Sequence, residues 1–244
     1  SVDGVLFNKE LTKLIAYPSN NRFSFAGDIW NITYQIPTGV TSIGDYAFED
    51  AYLHIMVIPD SVIDIGEGAF MSGWLTSITL PENITSIGDS AFRYCGLTSI
   101  VIPESVTRIG SSAFEGCGSL TSITIPKSVT SIGDSAFWGC DDLTSVTIPG
   151  SVTSINDYAF WGCSSLTNVT IGEGVTSIGG EAFYGCSSLS SLKIPESVTK
   201  IESGAFQSSN LTNVEIPQNV VSIGDYAFSN CSSLTSFSVD ERNA

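Results

Sequence analysis

The sequence is poor in the groups that most often carry chemistry. It has one histidine, His54, nine basic residues against 25 acidic ones, and a formal net charge of −16. A lone imidazole with no carboxylate or cysteine at motif spacing reads as a surface substitution rather than a catalytic group. The acidic surplus excludes nucleic acid and anionic membrane surfaces as partners, because both are held through lysine and arginine. Its simplest reading is solubility of a long array. No stretch approaches the ~18 apolar residues of a membrane span, so direct membrane insertion is not expected. No secretory leader, lipidation motif or wall anchor can be read. The chain opens at Ser1 without a methionine, as a mature form or an excised fragment would. No two cysteines stand at C-x-x-C spacing, which removes the usual zinc pattern.

What is present is repetition. Phe48, Phe70, Phe92, Phe114, Phe137, Phe160, Phe183, Phe206 and Phe228 recur at 22 or 23 residues, each preceded by alanine. A period in that range is the signature of a solenoid. In the unit Leu120–Asp142, apolar residues hold fixed slots at Leu120, Ile123, Ile125, Val129, Ile132, Ala136, Phe137 and Cys140. Leu120 to Ile125 alternates as a strand does. Pro126 then stops it, because proline cannot donate to a ladder; Gly172 is the exception in that slot. A second buried stretch follows from Val129 to Ile132, then Gly133 and Asp134 turn the chain and Phe137 plugs the interior. The glycine slot has Asn156 and Glu202 as departures. Its exchange for asparagine suggests positive φ. The aspartates at 45, 89, 134, 157 and 225 are placed to N-cap one helical turn through Asp-x-Ala-Phe. One unit cannot bury its own apolar face, but stacked units can. Successive strands then form a parallel sheet at about 4.8 Å per rung, and around ten rungs span roughly 45–50 Å. A hydrophobic fraction of 42% and a mean hydropathy of +0.23 suffice for such a core, and the unbroken repeat argues for one elongated domain.

The register of Leu-x-x-Ile-x-Ile-Pro, Val-x-x-Ile-Gly, Ala-Phe and Cys resembles the BspA-like leucine-rich repeat, a family found mainly in bacterial surface proteins. The resemblance runs from about Trp30 to the C-terminus. It implies a right-handed, curved leucine-rich-repeat solenoid with a parallel β-sheet on its concave side and little helix. It also implies a surface or secreted protein that adheres to host or neighbouring-cell molecules, and it carries over no catalytic residues or cofactor. Residues 1–28 stand outside the repeat. There Gly4–Asn8 and Leu11–Tyr17 read as a β-hairpin able to cover the N-terminal end of the core, leaving 29–244 as the array. The phrase DGVLFNKELTKLIAYP resembles a non-repeat insert common in this family, and the closing FSVDERNA resembles the phrase that precedes such an insert. On that reading the natural protein continues in both directions. The C-terminal rung, with Leu234, Phe237 and Val239, lacks a polar cap.

Candidate sites are few. Each of the six cysteines (95, 117, 140, 163, 186 and 231) lies three residues after the motif Phe. Stacked with parallel Cβ vectors they bridge poorly and read as buried free thiols. The outward strand positions form a carpet of short hydroxyls, which β-propensity and cross-strand contacts account for. Lys193 and Glu215 fall on adjacent rungs of that face as an exposed ion pair. The carpet offers no general base, no activated nucleophile and no carboxylate pair, so an enzyme reading fails. The aspartate column, with Glu67, offers single carboxylates in a line rather than the converging oxygens calcium needs. The slot after the motif Phe holds Trp138, Trp161 and Tyr184 on three consecutive rungs, beside Gly139, Gly162 and Gly185. This outward aromatic column is the candidate partner-binding site; mutual ring stacking over the turn beneath would account for it equally. Two functions fit: an extracellular, adhesin-like binding module for a protein or glycan of a host or neighbouring cell, or a passive stalk. Near-identity of the middle rungs favours the stalk, and the resemblance favours binding.

Overall fold

The computed structural model describes residues 4–18 and 33–239. The proposed division at residue 28 lies outside them. Each rung of the array makes the same circuit. A strand such as Ser122–Thr124 points its middle residue inward and its flanking residues to solvent, as the alternation requires. Pro126 closes a tight turn by accepting the Val129 N–H at 3.1 Å, and the two-residue strand Ser131–Ile132 follows. The chain then runs through compact turns to Cys140 and on to Leu143. No helix occurs among the described residues.

Stacking converts these circuits into two parallel ladders. The first comprises Thr33–Gln35, Ile55–Val57 and Ser77–Thr79, then Ser99–Val101, Ser122–Thr124, Ser145–Ile148 and Asn168–Ile171. It lapses at 191–194 and resumes with Asn213–Ile216 beside Ser236–Val239. Like slots pair with like, as Val146 with Val169 and Ile148 with Ile171. The second ladder stacks short strands such as Ser86–Ile87, Arg108–Ile109 and Ser131–Ile132. The parallel β-solenoid expected from the period is therefore present.

Between the ladders lies a column of turns, and here the structure corrects two expectations. The glycine slot at 44, 66, 88, 110, 133, 179 and 224 does not have positive φ. Its glycines are there because rungs approach closely: a Cβ on Gly133 would run into the main chain of Ser111. Positive φ falls instead on two other slots, the residue before alanine (Ser135, φ 55°; Tyr158, φ 59°) and the residue before cysteine (Gly139, φ 66°; Gly162, φ 71°). Second, the aspartates cap no helical turn. Asp45, Asp89 and Asp157 each accept, through Oδ1, the main-chain N–H of the same slot in the next rung, at 3.1, 2.9 and 2.6 Å. They staple rungs together. The main chain does likewise: Ser135, Phe137 and Gly139 donate N–H to the carbonyls of Asp157, Ala159 and Trp161, at 2.9, 2.8 and 2.7 Å. The alternate amides of Trp138 and Cys140 donate back within their own rung. Buried polar groups of the turn are thus satisfied without helix or strand.

The core is a stack of identical slots. From Phe48 to Phe228 the motif rings lie face to face with centroids 5.2–5.5 Å apart. The hairpin closes the N-terminal end of this stack. Its strands β1 (Leu6–Phe7) and β2 (Lys13–Ala16) pair antiparallel, and β2 continues the second ladder beside Ser42–Ile43. Tyr17 then behaves as one more motif Phe. Its ring stacks on Phe48 at 5.2 Å, and its N–H donates to the Ala47 carbonyl at 2.7 Å. At the other end, Phe237 and Val239 are each 55% exposed.

Candidate functional site

The six cysteines are free and buried. Each thiol donates to the main-chain carbonyl of the motif Phe one rung earlier, at 3.0–3.3 Å. Burial pushes the Cys95 and Cys186 thiols up to about 12, and those of Cys117, Cys140 and Cys163 also well up. Thiolates are the reactive form, so this column is inert packing. On the strand face Lys193 pairs with Glu173 at 3.8 Å, not with Glu215. Both side chains are mostly exposed, so the pair contributes little. The next column of hydroxyls ties rungs together, since Thr121, Thr144 and Thr167 each donate Oγ1–H to the same slot's carbonyl one rung earlier, at 3.1–3.2 Å.

His54 overturns its surface reading. It occupies that threonine slot, yet is only 8% exposed, and its Nδ1 has no hydrogen-bond partner. The sequence did carry a signal. The next leucine stands five positions after the motif Phe at Phe48–Leu53, Phe70–Leu75, Phe92–Leu97 and Phe206–Leu211, but six at Phe114–Leu120 and the three rungs after it. Three neighbouring rungs thus have a loop one residue shorter, and His54 lies among them.

The structure brings the aromatic column together. Trp138 and Trp161 stack at 5.0 Å with 17° between planes, and Trp161 and Tyr184 at 5.3 Å with 3°. The rings are half-buried rather than fully outward. Trp161 has both faces covered, and its Nε1–H donates to Glu181 Oε2 at 3.3 Å. The column continues toward the N-terminus as an ion pair, where Arg93 Nη2 meets the buried Glu115 at 2.6 Å. Beside the rings, Gly139, Gly162 and Gly185 each face only the glycine one rung earlier, Gly116, Gly139 and Gly162 in turn. One flank of the stack is therefore open, and what it offers outward is ring edges.

Comparison with known proteins places this geometry. No curated protein matches the chain. Among solved structures, a leucine rich repeat protein from T. pallidum is 28% identical, covering 78% of this chain and 89% of its own, with a TM-score of 0.63. A leucine-rich repeat protein from Eubacterium ventriosum is 24% identical over 93% of this chain and 65% of its own, TM-score 0.60. The pneumococcal vaccine antigen PcpA is 20% identical over 96% of this chain and 76% of its own, TM-score 0.50. Residues 19–141 and 153–243 match the BspA type leucine rich repeat region in six copies, and the chain belongs to that family.

Proposed function

We propose that this chain is a non-catalytic, adhesin-like binding module, extracellular or displayed on a bacterial cell surface, that recognises a host or neighbouring-cell protein through Trp138, Trp161 and Tyr184. The observation that carries the reading is the stacked column with its open glycine flank. Aromatic rings fixed in one orientation lose little entropy on binding and are the side chains interfaces use most. A protein suits the column better than a glycan. Sugars stack on ring faces, and the faces here are already occupied by neighbouring rings. Residues 1–28 serve as the cap and 29–244 as the recognition array.

The stalk reading has one observation in its favour, that the rings satisfy one another. Capture of host matrix proteins by the wild-type chain and by the Trp138→Ala, Trp161→Ala, Tyr184→Ala triple variant separates the two. A column that binds loses at least about tenfold in affinity in the folded variant. Unchanged affinity removes the column as the site, and no captured protein at all favours the stalk.

A further inference from the structure

The three consecutive short-loop rungs near the N-terminus border an open recess of about 530 Å³, lined by His54, Ser72, Gly73, Trp74, Tyr94 and Gly96 among others. Its size lies within the ~300–1,000 Å³ range of small-ligand sites. Each of the loops around it is one residue shorter than those from Phe114 to Leu189. Two rings flank it and both are unusually open, Trp74 at 54% exposure and Tyr94 at 47%. Neither is loose. Trp74 leans on Tyr52 at 5.1 Å. Tyr94 lies over Gly116, its hydroxyl bonded to Glu115 at 3.0 Å and approached by Arg93 at 3.2 Å. The Arg93 guanidinium lies over the Tyr94 ring, 4.7 Å from its centroid, so the ring face left free at the recess is that of Trp74.

The polar group is His54. Its ring forms part of the wall and packs edge-on against Tyr52 at 5.4 Å. The threonine that holds this slot in most rungs spends its hydroxyl on the preceding rung, whereas the imidazole leaves Nδ1 unpaired and shut away from water. Such a nitrogen is costly unless something pairs with it. A turn about the Cβ–Cγ bond exchanges the two ring edges, and that torsion is roughly two-fold. No Asp, Glu, Lys or Arg lines the recess, so the ligand is uncharged. It needs a flat apolar face for Trp74, and an edge group that can donate or accept to suit either imidazole tautomer. A hydroxyl on a ring meets both needs.

We propose that this recess binds a single neutral hexopyranose ring at the end of a glycan, stacked on Trp74 and hydrogen-bonded to His54. This inference is independent of the protein-binding column. The test is titration of the methyl glycosides of glucose, galactose, mannose and N-acetylglucosamine into the chain, following the Trp74 indole N–H by NMR. At least one glycoside is expected to shift that resonance saturably. Trp74→Ala should abolish the binding, and His54→Thr, which restores the residue of most rungs and so keeps the fold, should weaken it about tenfold. The triple variant at 138, 161 and 184 should bind the glycoside unchanged. The proposal falls if none of the four glycosides moves the Trp74 signal, if His54→Thr binds as wild type does, or if glycoside binding is lost only in the triple variant.

Discussion

The rungs around His54 and those around Trp161 have the same core and opposite surfaces. Phe70 and Phe160 are both fully buried, each between two rings at 5.2 and 5.3 Å. In the regular rungs, aromatic residues share one slot and stack, so their faces are used internally. In the rungs around His54, Tyr52, Trp74 and Tyr94 come from other slots, and Trp74 keeps an open face beside a recess while Arg93 covers Tyr94. A single residue removed from a loop changes what the surface can recognise and leaves the interior alone. In a repeat protein, then, the array supplies rigidity and the departures from it supply distinct sites.

The largest effect tests whether the interior is shared. Phe70→Ala and Phe160→Ala should each cost about 3–5 kcal/mol in urea unfolding, the usual consequence of emptying an aromatic core slot. Hydrogen exchange should rise mainly in the adjoining rungs. A much smaller cost for Phe70→Ala would mean that the short-loop rungs differ inside as well as outside.

An intermediate effect concerns one slot in two settings. Gly116 and Gly139 have φ of 70° and 66°. A Cβ on Gly139 would meet only the Gly116 Cα at an ordinary 3.9 Å, while a Cβ on Gly116 would strike the Tyr94 ring. Gly139→Ala should cost about 1–2 kcal/mol for the left-handed backbone alone. Gly116→Ala should cost at least about 1 kcal/mol more, because the ring must move. Equal costs would show that Tyr94 is not held in place beside the recess.

The third effect is seen only in alkali. The cysteine slot is thiol from Cys95 to Cys186 but Ala51 and Gly73 in the first rungs. Thiols raised by burial keep their protons in the folded state after the unfolded chain has lost them. Their stabilisation is whole below the unfolded value near 8.5–9 and is lost as pH rises toward about 12. Each such thiol adds a slope of about −1.4 kcal/mol per pH unit in that window. Cys140→Ala with Cys163→Ala should flatten the loss measured by urea unfolding at pH 9 and 10. An unchanged slope would mean that these thiols are not protected by the fold.

Periodicity made the solenoid, the phenylalanine stack and the buried thiols legible, because each depends on which residue types recur and at what interval. Contacts between rungs were not legible, since they join residues 22 or 23 apart in ways a slot's identity leaves open. Glycine at 133 is needed for close approach, yet an identical column would serve a positive φ. Aspartate at 157 bonds the rung ahead, yet the same residue caps helices elsewhere. Lys193 reaches Glu173, on the preceding rung, rather than Glu215. His54 looked like a surface residue because threonine in that slot faces water. Its burial follows from its own packing against Tyr52, since Thr76 and Thr98 stay exposed in the same slot behind equally short loops. The aromatic column was found from the repeat alone, but the occupation of its ring faces by each other required coordinates.

The turn column has a direction. In it, the alternate N–H groups that reach main-chain carbonyls, such as those of Ser135, Phe137 and Gly139, donate forward, from Tyr46 to Glu67 at one end and from Ser208 to Ser229 at the other, while the aspartate carboxylates accept from the rung ahead. Every rung therefore offers donors on one side and carbonyls on the other, and Tyr17 supplies the donor that the first carbonyls would otherwise lack. A rung lifted out or copied in meets the same complement above and below. Copy number can change by gene duplication or loss without any junction being redesigned. Such an array can be lengthened or shortened to set reach, while the sites that break its symmetry travel as separate cassettes.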